Sequence, residues 1–352
     1  MRAWEKNIRR VEPYVPGEQP KVDNVIKLNT NENPYPPAPK AYEAAKAFDM
    51  DKLRLYPDPE CSALVHSIAQ YYGMDDNEVF TGVGSDDVLA MIFMTFFNSK
   101  KPILFPDITY SFYDVWANML RIPFETKALD DDFQIKKEDY YGENGGVVFP
   151  NPNAPTGILM PLSEIEDIIA HNRDVIVVVD EAYIDFGGES ALPLIEKYDN
   201  LLVVQTFSKS RSLAGMRLGF AMGNEKLIRY INDVKYSFNS YTLNQTALVL
   251  GVQAIRDREY FEETCAKVIA TREWTKCELK KLGFSFGDSM SNFIFATHER
   301  VPAKEIFEAL REHNIFVRYF SKPRISNYLR ISIGTQQEME RLTAFLAVFL
   351  GE

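Results

Sequence analysis

The stretch LLVVQTFSKSRSLAGMRLGF, Leu201 to Phe220, joins an apolar run to a lysine set between two serines, and then to a glycine-bearing segment with two arginines. The apolar run reads as a buried strand, so Lys209 falls at a strand end. A lysine there, flanked by small hydroxyl and glycine residues, can approach a carbonyl compound, and its surroundings can tune its amine toward Schiff-base chemistry. Lys209 is the anchor of the reading. Alone the Ser-Lys pair is a weak signal, because a solvated lysine is the commoner case. Its weight comes from what the rest of the chain places beside it.

Working outward, KPILFP, GGVVFP and DVIVVVDEAY repeat the apolar pattern of LLVVQTF, nearly continuous in Val, Ile, Leu and Phe. Such runs predict strands of a parallel sheet covered on both faces. Helical segments fall between them, beginning with CSALVHSIAQYYG and SDDVLAMIFMTFF, so the fold class is α/β, a mostly parallel central sheet covered by helices. Residues 1–40 are proline-rich and predict an extended segment running over the surface, the small domain or a partner subunit. Residues 41–262 form the large domain, and residues 263–352, with FSFGDSMSNFIFATHE, VPAKEIFEALREHN, FVRYF and YLRISIG, form a smaller α+β domain ending in a helix.

With 46% hydrophobic and 25% charged residues in 352, the chain can bury a large core. A net charge of −11 and a pI near 5.1 argue against nucleic acid as a partner, so any anionic ligand must be met by local arginines or helix ends. Cys61, Cys265 and Cys277 lack metal-ligand spacing; neither a zinc site nor a disulfide framework is expected. No segment has signal-peptide or membrane-helix character, and a cytoplasmic enzyme is expected.

In open α/β sheets ligands collect beyond the carboxyl ends of the strands, and three more motifs end strands. VFTGVGSDDVL places Gly84, Ser85 and Asp86 at a helix start, where free N–H groups and the helix dipole favour an anion, or where Ser85 or Asp86 simply caps the helix. VIVVVDEAYIDF delivers Asp180 to a strand end. A carboxylate there is costly unless paired, and a protonated pyridine nitrogen is one partner that would hold it ionised; a helix cap or an arginine partner is the alternative. Tyr183 lies three residues on, while Glu181 and Asp185 fall to solvent or structural roles. FPNPNAPTG, Phe149 to Gly157, is a proline-stiffened turn in which one cis bond is expected.

Taken with VEPYVPGEQP, LNTNENPYP, LRLYPDP and PDITYSFY, these motifs resemble, in order and spacing over almost the whole chain, the fold-type I pyridoxal-phosphate aminotransferases, and more closely their histidinol-phosphate aminotransferase branch. The resemblance implies pyridoxal 5'-phosphate as cofactor, with Lys209 bonded to its aldehyde, Asp180 on its ring nitrogen, Tyr183 on its ring oxygen and Tyr110 stacked on the ring. The cofactor phosphate would be held by the Ser85 and Asp86 main chain beside Gly84, by Ser208 and Arg217, and by Tyr56 across a homodimer interface. Arg330 and Arg318 would bind the substrate's anionic group, with Asn33 nearby and Tyr14 reaching in from the other subunit. The substrates implied are histidinol phosphate and 2-oxoglutarate, giving glutamate, in ping-pong transamination within histidine biosynthesis. One departure concerns the turn: the family usually has Asn directly before Pro-Thr-Gly, where this chain has Ala154, and Asn153 comes one residue early.

Other readings share the outline: an aromatic or broad-specificity aminotransferase, a threonine-phosphate decarboxylase-like enzyme, or a degenerate regulator that binds the cofactor without turnover. A regulator of that kind usually carries a DNA-reading domain, and this acidic chain has no basic helix for one. His66, His171, His298 and His313 lie outside every motif and read as structural or solvent-facing.

Overall fold

Val147–Pro150, Val177–Asp180 and Leu201–Thr206 are buried at every position, which requires apolar cover on both faces of the sheet they build. The structure, a computed structural model describing residues 2–21 and 24–351, supplies that cover from helices on either side. The larger sheet has seven strands in the order β2 (Val79–Gly82), β8 (Gly219–Gly223), β7 (Leu201–Thr206), β6 (Val177–Asp180), β5 (Val147–Pro150), β3 (Ile103–Pro106) and β4 (Phe124–Lys127). It is parallel from β7 to β4, and β8 runs antiparallel between β2 and β7.

Successive side chains of each strand point to opposite faces. Val147, Phe149, Val177, Val179, Leu201 and Val203 pack against α1 (Pro39–Lys46), α2 (Ser62–Tyr72), α5 (Leu162–His171) and α7 (Gln245–Arg256). Val148, Val178, Leu202 and Val204 pack against α3 (Gly84–Phe96), α4 (Tyr113–Leu120) and α6 (Glu225–Phe238). Each fully buried Val, Leu, Ile or Phe contributes about 1.5–3 kcal/mol, so this two-faced burial dominates the stability of the layer.

The smaller sheet has five strands in the order β1 (Ile26–Leu28), β11 (Ile315–Tyr319), β12 (Leu329–Ser332), β10 (Phe293–His298) and β9 (Phe284–Phe286). Its first strand comes from the N-terminal segment: β1 pairs in parallel with β11, Ile26 opposite Ile315. Helices α8 (Arg258–Lys281), α9 (Ala303–Glu312) and α10 (Gln336–Leu350) cover it. The boundary drawn between residues 262 and 263 falls inside α8, a single uninterrupted helix of 24 residues. Tyr183 and Phe186, from the loop after β6, pack into the smaller sheet's cluster, so the carboxyl end of β6 is also the joint between the two sheets. No helix among the described residues is long and apolar enough to cross a membrane.

One close approach fixes the start of α3. Gly84 has φ +80°, and a Cβ on Gly219 of β8 would stand 2.4 Å from Gly84 C and Ser85 N. Gly219→Ala therefore forces the start of α3 away from β8, with an expected loss of about 1–3 kcal/mol. A urea midpoint equal to that of the wild type would contradict this packing.

Candidate active site

A cavity of about 120 Å³ lies at the carboxyl ends of β5, β6 and β7, lined by Ser85, Asp86, Tyr110, Asp180, Tyr183, Ser208, Lys209 and Arg217 among others. It adjoins a second of about 180 Å³ that shares Tyr110, Tyr183 and Lys209 and adds Tyr14, Asn29, Thr30, Asn31, Arg318 and Arg330. Two larger surface clefts, about 820 and 840 Å³, include none of the sequence-predicted residues. Chemistry, not size, picks out the site.

Asp180 is the last residue of β6 and is buried. Its carboxylate accepts from Tyr113 Oη (3.0 Å) and from the Ala182 amide (3.3 Å), and no cation bonds it among the described residues. Burial pushes its pKa up to about 6, against the pull of those two donors. Lys209 Nζ donates to the Thr30 carbonyl (3.0 Å) and lies 5.7 Å from the Tyr183 ring centroid. Tyr183 Oη accepts from Asn31 Nδ2 (3.0 Å), which aims the phenol into the cavity.

At the start of α3, a Cβ on Gly84 would meet Arg217 Nη2 at 2.6 Å, so the absence of a side chain lets the guanidinium lie over the helix end. Arg217 Nη2 donates to Asp86 Oδ2 (2.9 Å), and Asp86 Oδ1 accepts from Tyr110 Oη. Asp87 turns away and accepts from the Val83 amide (2.9 Å). Ser208 is held by Thr206, whose Oγ1 bonds its hydroxyl (3.0 Å) and its amide (3.1 Å).

On the smaller sheet Arg318 and Arg330 stand directly opposite each other on β11 and β12. Like charges so placed repel, and no carboxylate pairs with either among the described residues. Arg330 donates Nη2 to Asn29 O (3.1 Å), while its Nε is buried without a partner among the described residues. Burial pulls its pKa down. Such a pair can present forked donors to an anion of fixed geometry.

Three expectations change, those for Asn153, Asn33 and the cis bonds. Tyr14 lines the cavity of its own chain, where Arg9 Nη1 on Met119 O (2.6 Å) and stacking of Tyr14 on Phe112 (4.2 Å) fold the N-terminal segment back. Asn153 faces away from the cavity. Its amide donates to Ile108 O (3.0 Å) and Thr156 Oγ1 (3.1 Å) and accepts from Thr109 Oγ1 (3.0 Å), while Ala154 lines both cavities. Asn33 is spent on the main chain, donating to Ser210 O (3.1 Å) and accepting from the Tyr35 amide (3.1 Å), so it ties the N-terminal segment to the lysine loop. Glu181 takes the structural of its two expected roles: it is buried and bonded by Ser190, the Ala191 amide and Gln205, and burial pushes it up to about 7. Both Asn151–Pro152 and Ala154–Pro155 are cis, where one cis bond was expected.

Tyr56 is 80% exposed, stacks on Tyr241 (4.6 Å) and lines neither cavity of its own chain. Sequence reasoning passed over Asn29, Thr30, Asn31 and Tyr113. A signal was present for all four, since Asn29, Thr30 and Asn31 sit inside the quoted LNTNENPYP and Tyr113 inside PDITYSFY. None of the four histidines lines either cavity.

Comparison with known proteins agrees with this geometry. Residues 23–346 match the family model "Aminotransferase class I and II". A histidinol-phosphate aminotransferase of Clostridium botulinum is 54% identical over 96% of this chain and 95% of its own length. One from Hydrogenovibrio crunogenus is 54% identical over 99% and 98%. The chain belongs to the class I and II aminotransferases, in the histidinol-phosphate aminotransferase family. The fold also matches the Sinorhizobium meliloti histidinol-phosphate aminotransferase solved with pyridoxal-5'-phosphate, with a TM-score of 0.83 at 23% identity, covering 93% of this chain and 91% of that one.

The residues of this aminotransferase fit the cofactor. Asp180 is a buried carboxylate without a cation, as a protonated ring nitrogen requires, and Lys209 faces the same cavity without a carboxylate partner. The arrangement also makes Asp180 a destabilising charge in the cofactor-free protein. Its folded pKa, about 6, lies above the ordinary 3.8, so its contribution to stability is full below pH 4 and is lost as pH rises through 6. Asp180→Asn should therefore be more stable than the wild type at pH 8, by roughly 2 kcal/mol, with the difference gone near pH 4. Urea titrations of the cofactor-free proteins at both pH values check this; an equal gain at both would deny the role of the charge.

Proposed function

We propose that this aminotransferase moves the amino group of L-histidinol phosphate to 2-oxoglutarate, yielding imidazole acetol phosphate and L-glutamate, by a ping-pong mechanism in histidine biosynthesis. The observation that carries the reading is the Arg318–Arg330 couple, paired with no carboxylate among the described residues, in the cavity that Lys209 also lines and that adjoins the cavity of Asp180. Bound pyridoxal phosphate supplies an electron sink that stabilises negative charge at the substrate carbon bearing the amine.

The chain's own residues do the rest. Asp180 keeps a facing ring nitrogen protonated, and its own charge is stabilised in return. Tyr183, fixed by Asn31, donates toward the ring oxygen; with Asn153 turned away and Ala154 in its place, that contact rests on Tyr183. Ser85, Ser208 and Arg217 meet the cofactor phosphate, and Arg217 exchanges part of its bond to Asp86 for it. Lys209 would hold the cofactor's aldehyde carbon and, with its amine free, would carry a proton to and from the substrate carbon that bears the amine. Arg318 and Arg330 present forked donors to either a phosphate or a carboxylate, so one pocket serves both half-reactions. Tyr14 and Phe320 close the same cavity with aromatic surface.

A homodimer belongs to this reading. Met50, Leu53, Leu55, Tyr56, Phe238 and Tyr241 are large side chains left exposed on the single chain, and Tyr56 has no cavity of its own to serve. In the dimer Tyr56 reaches the partner subunit's cofactor phosphate.

Lys209→Ala should lose both the visible absorbance of the cofactor-bound protein and all turnover. The wild type should react faster with histidinol phosphate than with phenylalanine, aspartate or glutamate as donor in single half-reactions. Phenylalanine leading would favour an aromatic aminotransferase, and carbon dioxide release from a phosphorylated amino acid would favour the decarboxylase reading. Arg330→Ala should slow both half-reactions, by about 100-fold or more for a buried charge-assisted contact. Loss of only one half-reaction would show that the two anions use separate sites.

A further inference from the structure

The hairpin that carries both arginines holds its own repulsion. β11 and β12 pair at Arg318 opposite Arg330 and at Tyr319 opposite Leu329, so like charges face each other beside the loop, residues 320–328, that joins the strands. That loop reaches across to the larger domain. Arg324 Nη1 donates to Asp107 Oδ2 (3.1 Å), and Nη2 donates to Leu129 O (2.9 Å) and Asp130 O (2.7 Å). Asp107 follows β3, Leu129 and Asp130 follow β4, and Asp107 Oδ1 accepts from the Leu129 amide (3.0 Å). Next to Arg324, Ile325 is buried in one cluster with Ile108 and Leu129 of the larger domain and Phe295 of β10. Arg324 has φ +65°, a left-handed conformation that a non-glycine residue keeps only where its surroundings over-determine it.

We propose that Arg324 and Asp107 are positioning residues: they clasp the β11–β12 hairpin to the segment bearing Tyr110, so that Arg318 and Arg330 keep a fixed distance from the cofactor wall. This rests on the reading of the two arginines as the pair that meets the substrate's anion. On one side of the clasp, the chain runs from Asp107 straight into the site. Asn153 Nδ2 donates to Ile108 O (3.0 Å), Thr109 Oγ1 donates to Asn153 Oδ1 (3.0 Å), and Tyr110 Oη donates to Asp86 Oδ1. On the other side, Arg318, Phe320 and Arg330 line the cavity at the two ends of the clasped loop. Asn153, turned away from the cofactor, thus steadies the same segment that Arg324 holds.

A half-exposed ion pair alone would hold little. Here one planar guanidinium spans a carboxylate and two carbonyls, a set of bonds that the single nitrogen of a lysine does not reproduce, and Ile325 adds an apolar seat beside it. Tyr183 and Phe186 join the two domains at the end of β6, and the clasp joins them again at the ends of β3 and β4. Two joints fix an angle that one leaves free. Without the second, the repelling arginines can spread, and an incoming anion must draw them together again, which weakens its binding.

The test uses the cofactor-loaded full-length protein and measures binding of inorganic phosphate by calorimetry. Arg324→Gln should weaken that binding by about 10-fold, the scale of reordering a loosened pair of side chains. Asp107→Asn, which keeps an acceptor for the Leu129 amide and so preserves the loop, should weaken it in the same direction. The double variant should bind phosphate as Arg324→Gln does, because both changes act through one contact. In single half-reactions the rate constant for histidinol phosphate should fall by about the same factor, while that for L-histidinol, which brings no phosphate to the arginines, should stay within about two-fold of the wild type. Unchanged phosphate affinity in Arg324→Gln, or losses that multiply in the double variant, would overturn the proposal. Equal losses with both donors would overturn it too, since a merely structural contact acts that way. A wild type that binds phosphate yet reacts slowly with histidinol phosphate would sink the proposed substrate alone, and the phosphate affinities of the variants would still decide the clasp.

Discussion

Apart from the Asp86–Arg217 pair, charges of opposite sign line this site without touching. Asp180 is buried at the end of a central strand with two neutral donors, and Lys209, Arg318 and Arg330 stand across the cavity without a carboxylate. Left to themselves such groups would pair, because an isolated buried charge is among the most costly features a protein can hold. They are kept apart by backbone rigidity: Asp180 is bound into a sheet that is apolar on both sides, and the arginines belong to a second sheet with its own core. A small dianion with a cationic ring is the kind of molecule that satisfies all of them together.

The two-sheet architecture follows from that need. Parallel strands deliver residues only at their carboxyl ends, so the large sheet can build one wall of a site but not the wall facing it. The opposing wall comes from β11 and β12, and the N-terminal segment joins them through β1. Because β1 leads directly into Asn29, Thr30 and Asn31, the strand that completes the smaller sheet also carries the strap that meets Lys209 and Arg330. Tyr183 and Phe186 lock the joint by packing their rings into the smaller sheet's core while Asp180, three residues earlier, stays in the larger one.

Much of this was legible in the sequence because it depends on local pattern. The apolar runs at Val147, Val177 and Leu201 announced strands buried on both faces, and the polar residue ending each run announced the site wall. What stayed hidden depends on where side chains turn. Asn153 and Ala154 are adjacent in a proline-stiffened turn, and only the path of the chain decides which of them faces the cavity. An extended proline-rich segment has no period from which its direction can be read, and the place of Tyr14 is set by contacts of Arg9 and Phe112 more than ninety residues apart in the chain. Glu181 was left between a solvent-facing and a structural role, and the fold decides it: on a strand end between two covered faces the residue after Asp180 points into the opposite layer, where Gln205 and Ser190 receive it.

Net charge and site charge point in opposite directions, and the difference matters for specificity. A chain of −11 repels anions at long range, so phosphate and carboxylate substrates must be captured by a local positive field in a concave, low-dielectric site, where one arginine pair counts for more than the same charges on the surface. Forked donors fit both oxyanions, so the arginines cannot by themselves tell histidinol phosphate from glutamate. Discrimination must come from what lies beside the anion, where Tyr14, Tyr110 and Phe320 offer flat apolar faces that a heteroaromatic ring fills and a second carboxylate does not. A glutamate side chain must instead reach Asn29, Thr30 or a second arginine. The wall facing Lys209 is thus built partly from the N-terminal segment, whose Tyr14 precedes β1 and lies outside both sheets.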